Sequence, residues 1–522
     1  MIIQGKSLDG NSVLQADYCV VGSGMGGSAT AHKLALAGKD VLLVEAGNTA
    51  EVPPDRTAPV TAEHTGRPFG MPITRCIELG GTSNAWHGIC TPLEEIDFEQ
   101  RPWISDTGWP IRRSDLDPFY VEAARLFGHE KLSGLQPNRL PSALQHELRA
   151  IEFDHTVLLP KLLEYRTPPF RWKQTLVDLA RSDKLRCLLD TTALELVPSE
   201  NGSHIAHLRA AAPGGMVRIE AKVFVVSAGS LETPRLLLNS RSRHAKGVGN
   251  DRDLVGRHLM DHPTGPFSMV HFASMLRAPA YSGLPLAKGE RHLMSALILR
   301  PERQRSHAVP NHYFLIRPCV GANHVEHDLR MSFLAARGAR DFTPRQVAGI
   351  LTTPNLLYRI LVQKCKFPAW YRYGELFYFA EQIPNPESRV SLSHEGRDAS
   401  GYPVASIHWQ PLARDSRSLS DFARAVLSRG LNSKQYRTSP NGFTGEWTEQ
   451  FTSAAHHLGT ARMAADPSKG VVNANLQVFG IDNLYVCDGS VFASSGSANP
   501  SLTITALALR LGDHLLSKSA RA

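Results

Sequence analysis

Three glycines, Gly22, Gly24 and Gly27, stand on a G-x-G-x-x-G spacing in VVGSGMGGSATAHKLALAGKDVLLVEAG (Val20 to Gly47). The spacing is that of a dinucleotide site: the first glycine permits a tight turn, the second lets the backbone approach a pyrophosphate, and the third lets helix pack on strand. The flanks agree with this. Tyr18 to Val21 reads as a buried strand, the Ala- and Leu-rich run from Met25 to Ala37 as a helix whose first amides face an anion, and Val41 to Val44 as a second strand. Glu45 closes that strand, where a carboxylate can accept the hydroxyls of an adenosine ribose and repels a 2′-phosphate. The glycines alone do not separate FAD from NAD.

The elements that must hold this turn fit a soluble chain of more than one domain. At 522 residues it is too long for a single core. Its 57 basic and 49 acidic residues nearly balance and form no long like-charged run, which argues against nucleic-acid binding. No apolar run reaches the length of a membrane span, and the N-terminus carries no leader-like apolar core, so no transmembrane segment and no signal peptide are predicted. Seven cysteines, Cys19, Cys76, Cys90, Cys187, Cys319, Cys365 and Cys487, are scattered singly. An odd, unpaired set predicts free thiols in a reducing compartment, hence a cytoplasmic protein, and with no CxxC, CxxCH or four-cysteine run no iron–sulfur cluster or c-type haem is expected within the chain.

Strand-like patterns return from Leu185, with LRCLLDTTALELV, HIAHLRAAA and MVRIEAKVFVVSAGS reading as a hairpin that feeds an apolar strand ending in Ala-Gly. Residues 266–455 alternate more irregularly, as in FSMVHFAS and HLMSALILR, with a helical pattern around Gln346 to Gln363. The last residues revert to strand, loop and Ala/Leu-rich helix. The expected fold class is therefore α/β: a Rossmann-like dinucleotide-binding domain assembled from discontinuous segments, plus an α+β substrate-binding domain with a mostly antiparallel sheet. The boundaries are residues 1–95, 185–265 and 456–522 for the nucleotide domain, 96–184 for a connecting or substrate-side segment, and 266–455 for the substrate domain.

Over essentially its whole length the chain resembles the glucose–methanol–choline (GMC) flavoprotein oxidoreductases. The resemblance rests on the N-terminal glycines, GGTSNAW (Gly80 to Trp86), SAGSLETPRLLLNS (Ser227 to Ser240), VGRHLMDHP (Val255 to Pro263), NPESRVSLS (Asn385 to Ser393), HHLGTARM (His456 to Met463) and LYVCDGSVFASSGSANPSLTITALAL (Leu484 to Leu509). It implies that the dinucleotide is FAD. Two departures stand out: Ile77 and Glu78 occupy positions where a basic or small residue is usual, and Ala85 takes the place of the flavin-linking histidine of some sugar-oxidising relatives. The second implies a non-covalent flavin, although His87 lies close by.

For chemistry, the resemblance implies an alcohol oxidation in which His456 is the base and Asn499, in SANPSLT, orients the alcohol oxygen. His457 is expected to pack or solvate, His262 and His87 to be structural, and Asp261 to fix a loop. Cofactor contacts are expected from Gly22, Gly24, Met25, Gly27, Glu45, Ala228, from Gly81, Thr82 and Asn84 along the isoalloxazine, and from Asp488 and Gly489 near the ribityl–pyrophosphate. Ser501 and Leu502 open the last helix beside the flavin, and Ala193 marks the adenine pocket. No metal ligand set is present.

The segment from Trp103 to Gly128 resembles bacterial sugar-oxidising members, such as pyranose oxidase-like and glucose or glucoside dehydrogenase-like proteins, and implies a sugar, glycoside or polyol substrate. Trp86, Tyr378, Gln382 and His408 are candidate sugar contacts. A non-sugar alcohol, and lyase chemistry on the same scaffold, are the alternatives. The electron acceptor is oxygen, a quinone or a separate redox protein, and the stretch from Leu356 to Phe379 is a candidate membrane-surface patch for reaching a quinone.

Overall fold

The computed structural model describes residues 1–49, 62–66, 75–129, 148–277, 281, 284–285, 291–322, 344–355, 357–358, 370–439 and 452–521. Its first sheet runs in the order Ile2–Gln4, Arg186–Leu189, Val41–Val44, Val13–Val21, Gly215–Val226, Ile205–Ala212 and Thr192–Pro198, with Leu484–Val486 beside Gly215–Val226. The pairings at its centre are parallel, Val20 opposite Leu43 on one side and Val225 on the other. The last two strands form the antiparallel hairpin read from the sequence.

A parallel sheet is covered on both faces, so its strands are apolar throughout rather than alternating. Val41–Val44 is accordingly buried at all four residues. The helix Met25–Leu36 crosses over between Val13–Val21 and Val41–Val44, one residue shorter than the sequence pattern suggested, and packs against the last helix, Pro500–Ser519. Within the segment expected to lead toward substrate, the helix Asp117–Leu126 packs on Pro500–Ser519 and the helix Trp172–Arg181 on Met25–Leu36. The strand Leu158–Arg166 of the same segment instead joins the second sheet.

That second sheet is antiparallel in every pairing: Leu284–Pro285, Arg291–Leu299, Tyr313–Cys319, Trp370–Phe379, Pro263–Arg277 and Tyr436–Ser439 in order, with Leu158–Arg166 and Thr452–Ser453 off that path. The helix Ala413–Ala425 lies on it, Phe422 packing its ring against Phe267, Phe314 and His312. A small third sheet joins Arg389–Arg397, Pro403–His408 and Ala62–His64. The predicted helix around Gln346 to Gln363 is present as Pro344–Thr352, and most of the candidate membrane-surface patch lies outside the described residues.

The six described cysteines are free. Burial pushes the Cys19 and Cys187 thiols up to about 12. Protonated thiols of this kind are inert packing groups.

At two positions the nucleotide domain depends on the absence of a side chain. A Cβ on Gly26 would sit 1.8 Å from the Cys487 carbonyl oxygen, and one on Gly27 1.9 Å from that of Gly22. Both obstacles are backbone, which cannot turn aside as a side chain can. Gly26→Ala is therefore expected to lower stability by about 1–3 kcal/mol or more, the usual range for overpacking. Thermal unfolding of the purified variant checks this, and an unchanged midpoint refutes it.

Candidate active site

Gly22 turns the chain with φ 91°, and the helix Met25–Leu36 begins at Gly24 with no side-chain cap. Its first amides therefore keep their donors for an anion. A Cβ at Gly24 would meet nothing within 4 Å, and the same holds at Gly229. Both glycines line a cavity of about 410 Å³ whose wall also carries Gly22, Met25, Glu45, Gly81, Thr82, Ala193, Ala228, Asp488, Gly489 and Ser501. Open space over an uncapped helix start, walled by backbone, fits a dinucleotide pyrophosphate.

Glu45 is more constrained than the sequence suggested. Its Oε2 accepts from the Ser23 amide at 3.0 Å and the Ser23 hydroxyl at 2.6 Å, and its Oε1 from the Gly47 amide at 3.0 Å. Burial raises its pKa, opposed by these donors. Both oxygens thus already serve the chain, and a ribose meets only the remaining lone pairs. Ser23 is a residue the motif reading passed over, because it occupies a variable position of the glycine pattern. It also accepts from the Gly80 amide at 2.9 Å, tying the nucleotide turn to the GGTSNAW loop.

Asp488 is similarly occupied. Its Oδ2 accepts from the Gly229 amide at 2.9 Å and the Thr233 hydroxyl at 2.6 Å, and its Oδ1 from the Ser490 amide at 2.8 Å. It caps the helix Gly229–Asn239 from the C-terminal segment. Three expected cofactor residues lie off the cavity wall: Gly27 beneath the turn, Asn84 with its amide donating to the Leu79 carbonyl at 2.9 Å, and Leu502 fully buried in the last helix. Glu78, the unusual residue before the double glycine, is buried and pairs with Lys173 at 3.4 Å.

The same cavity wall carries His456, His457, Asn499, Ala85, Trp86 and His87. His456 is half-buried, and both its ring nitrogens are engaged. Nε2 faces the Asn499 amide nitrogen at 3.4 Å, and Nδ1 faces His262 Nδ1 at 2.8 Å. Asp261 anchors the loop: one oxygen accepts from the His456 amide at 3.1 Å and the His262 amide at 2.6 Å, the other from the Ser453 hydroxyl at 2.5 Å. Burial raises the Asp261 carboxyl to about 6, against those donors. The loop-fixing part expected of Asp261 is thus visible in its bonds.

His456 is held well below its usual pKa, first by burial and then by the positive charge that His262, His457 and His87 would carry. Burial also brings His262 down to about 4 and His457 to about 3. Burial thus favours the uncharged imidazole at His456, His262 and His457, the form in which one can accept a proton. Of the proposed sugar contacts only Trp86 reaches the cavity wall. Tyr378 is buried in the second sheet, His408 bonds Gln410, and Gln382 accepts from the Asp261 amide and the Trp409 indole, each at 2.9 Å.

A Rossmann-like domain whose cavity ends at a histidine and an amide is the arrangement that the GMC resemblance implied. Comparison with known proteins agrees. Residues 172–264 and 384–508 match the N- and C-terminal family models of the GMC oxidoreductases, and residues 20–50 an NAD(P)-binding Rossmann-like model. The chain is similar to the 2-methyl-1,2-propanediol dehydrogenase of Mycolicibacterium austroafricanum (24% identity over 96% of this chain and 95% of that one). It is also similar to the fructose dehydrogenase large subunit of Gluconobacter japonicus (23%, 97% and 98%) and the paromamine 6′-oxidase of Streptomyces fradiae (26%, 95% and 90%). Among solved structures, its fold matches the formate oxidase of Aspergillus oryzae RIB40 (TM-score 0.57, 18% identity, 97% and 98% covered). It matches pyridoxine 4-oxidase from Mesorbium loti as well (TM-score 0.54, 17% identity, 96% and 99%). The chain carries the N- and C-terminal GMC oxidoreductase domains, is an alcohol-oxidising enzyme and takes FAD as its cofactor.

Gly24→Ala separates cofactor binding from folding. Its φ of −67° suits alanine and its Cβ meets no protein atom, so the apoprotein should melt as the parent does. Titration with FAD should show weaker binding, because the methyl group stands where the pyrophosphate approaches. Undiminished FAD affinity refutes this placement.

Proposed function

We propose that this enzyme oxidises a primary or secondary hydroxyl of a sugar, glycoside or sugar-like polyol to a carbonyl, with His456 as base and Asn499 as the group that orients the alcohol. The observation that carries the reading is the convergence of His456 Nε2 and the Asn499 amide nitrogen, 3.4 Å apart, on the cavity that begins at the Gly24 turn. The substrate class draws support from relatives named for a diol, a ketose and an aminoglycoside. A short diol without a sugar ring is the second reading, favoured by the propanediol dehydrogenase likeness.

FAD, when bound, supplies the hydride acceptor at the carbon being oxidised. His456 Nε2 takes the hydroxyl proton. The contact between Nε2 and the Asn499 amide is long for a hydrogen bond, so an alcohol oxygen on the cavity side can bridge the two, donating to Nε2 and accepting from the amide. The carboxamide does not titrate, so it shapes the oxygen's position without setting a pH dependence. The last helix begins at Pro500 with no side-chain cap, and its amides favour negative charge building nearby. Ala85 offers no nucleophile at the linking position, so the flavin is held without a covalent bond. The acceptor that returns the enzyme to its oxidised form is oxygen, a quinone or a separate redox protein. Among the described residues no helix is long and apolar enough to cross a membrane.

Anaerobic mixing with a panel of sugars, glycosides, polyols and simple diols tests the substrate class: the yellow colour should bleach fastest with a sugar or polyol, and bleaching by short diols alone favours the second reading. His456→Ala should keep FAD and lower kcat on the order of 10²- to 10⁴-fold, as loss of a general base does. The wild-type kcat/KM profile should show one limb that rises with pH and is complete by the ordinary histidine value of 6.5, because the working form is neutral and its pKa is depressed. A limb centred above that value contradicts the assignment. Acid precipitation should release the colour into the supernatant, and colour retained in the pellet refutes the non-covalent flavin.

A further inference from the structure

We propose that His262 is a positioning residue that fixes the tautomer of His456, presenting an unprotonated Nε2 to the cavity. The proposal rests on the reading of His456 as base, and goes beyond it by assigning what makes that nitrogen basic.

The assignment follows from donors and acceptors alone. His262 Nε2 lies 3.2 Å from the Ser495 carbonyl oxygen. A carbonyl only accepts, so His262 carries its proton on Nε2. His262 is fully buried and neutral near pH 7, its pKa pushed down to about 4 by burial, so it has one ring proton and Nδ1 is a lone pair. That lone pair faces His456 Nδ1 at 2.8 Å, and a contact between two ring nitrogens needs one donor. His456 must therefore be protonated on Nδ1. Its own single proton is then spent, and Nε2 is left as the acceptor facing the Asn499 amide at 3.4 Å. The Asn499 orientation is consistent, since its nitrogen rather than its oxygen faces Nε2, and its Oδ1 has no partner among the described residues.

The chain of bonds therefore has a direction, from the Asn499 amide through the two imidazoles to the Ser495 carbonyl. When Nε2 gains the hydroxyl proton, Nδ1–H remains donated to His262, so the cation forms with an acceptor already in place. The loops hold this geometry independently of the rings. Asp261 binds both backbone amides, and the Gln382 amide donates to the Ser495 hydroxyl at 3.1 Å. Without an acceptor at His262, a buried Nδ1–H is left unbonded and the proton moves to Nε2, where the Asn499 oxygen can swing round to accept it. Nε2 is then no longer a base.

The test uses FAD-loaded enzyme labelled with 15N-histidine, with the His456 signals identified by their loss in His456→Gln. In the wild type, long-range 15N NMR should show His456 protonated at Nδ1 and pyridine-like at Nε2. Protonation at Nε2 in the wild type overturns the proposal whatever any variant does. His262→Leu should shift the proton to Nε2 and slow anaerobic flavin bleaching on the order of 10²-fold or more, as a wrong tautomer does elsewhere. His262→Asn can present its oxygen to His456 and its amide to Ser495, so it should keep the Nδ1–H tautomer and bleach much faster than His262→Leu. Equal rates for the two variants, or an unmoved tautomer in His262→Leu, also overturn it. Failure of the base reading is distinguishable: His456→Gln would then bleach normally while the wild-type spectrum still showed Nδ1–H.

Discussion

Two backbone carbonyls, those of Gly22 and Cys487, occupy the space that side chains on Gly27 and Gly26 would need. This contact sets how deeply the helix Met25–Leu36 presses onto the first sheet. Because Cys487 lies just beyond the strand Leu484–Val486, the same contact sets where the C-terminal segment runs. From that segment come Asp488, which caps the helix Gly229–Asn239, and Asn499, which faces His456. A displacement of the helix by the width of a methyl group would move three helix starts at once. The glycines are thus required for assembly as much as for admitting a pyrophosphate.

The second sheet reaches the loops of His262 and His456 through one short segment. After the strand Trp370–Phe379 the chain buries Glu381 in an ion pair with Arg101, and both side chains are almost wholly inaccessible. Such a pair adds little net stability, but losing one partner leaves a charge that burial makes costly, so it enforces one arrangement. Its neighbour Gln382 then grips Asp261 with its side chain and Ser495 with its backbone. The two ends of the imidazole chain are therefore braced from the segment that leaves the second sheet.

Much of this was legible because it depends on local rules. The fingerprint glycines, the strands Val41–Val44 and Gly215–Val226, and the hairpin before the latter follow from periodicity and turn chemistry. His456 and Asn499 were reached through a family likeness, and the structure brings their side chains together. What escaped the sequence was commitment. Glu45 and Asp488 looked like groups reserved for a cofactor, yet three nearby donors already engage each carboxylate and leave only part of it to the cavity. Gln382 and Tyr378 looked like sugar contacts by residue type, yet both are buried. For His262, no local pattern shows that its ring meets another imidazole nearly two hundred positions away. Residue type reports what a side chain can do; partners across the fold decide what capacity remains.

The cofactor cradle joins Gly24 with Asp488, Asn499 and Ser501, residues from opposite ends of this chain. During synthesis the first of these leaves the ribosome long before the others, an interval on the order of a minute at about 5–20 residues per second. Throughout it the glycine turn has no helix from the C-terminal segment to rest on, and no carboxylate caps the helix Gly229–Asn239. The cradle is accordingly completed only once the C-terminal segment has come back to the glycine turn, so its last-made residues are the ones that close it.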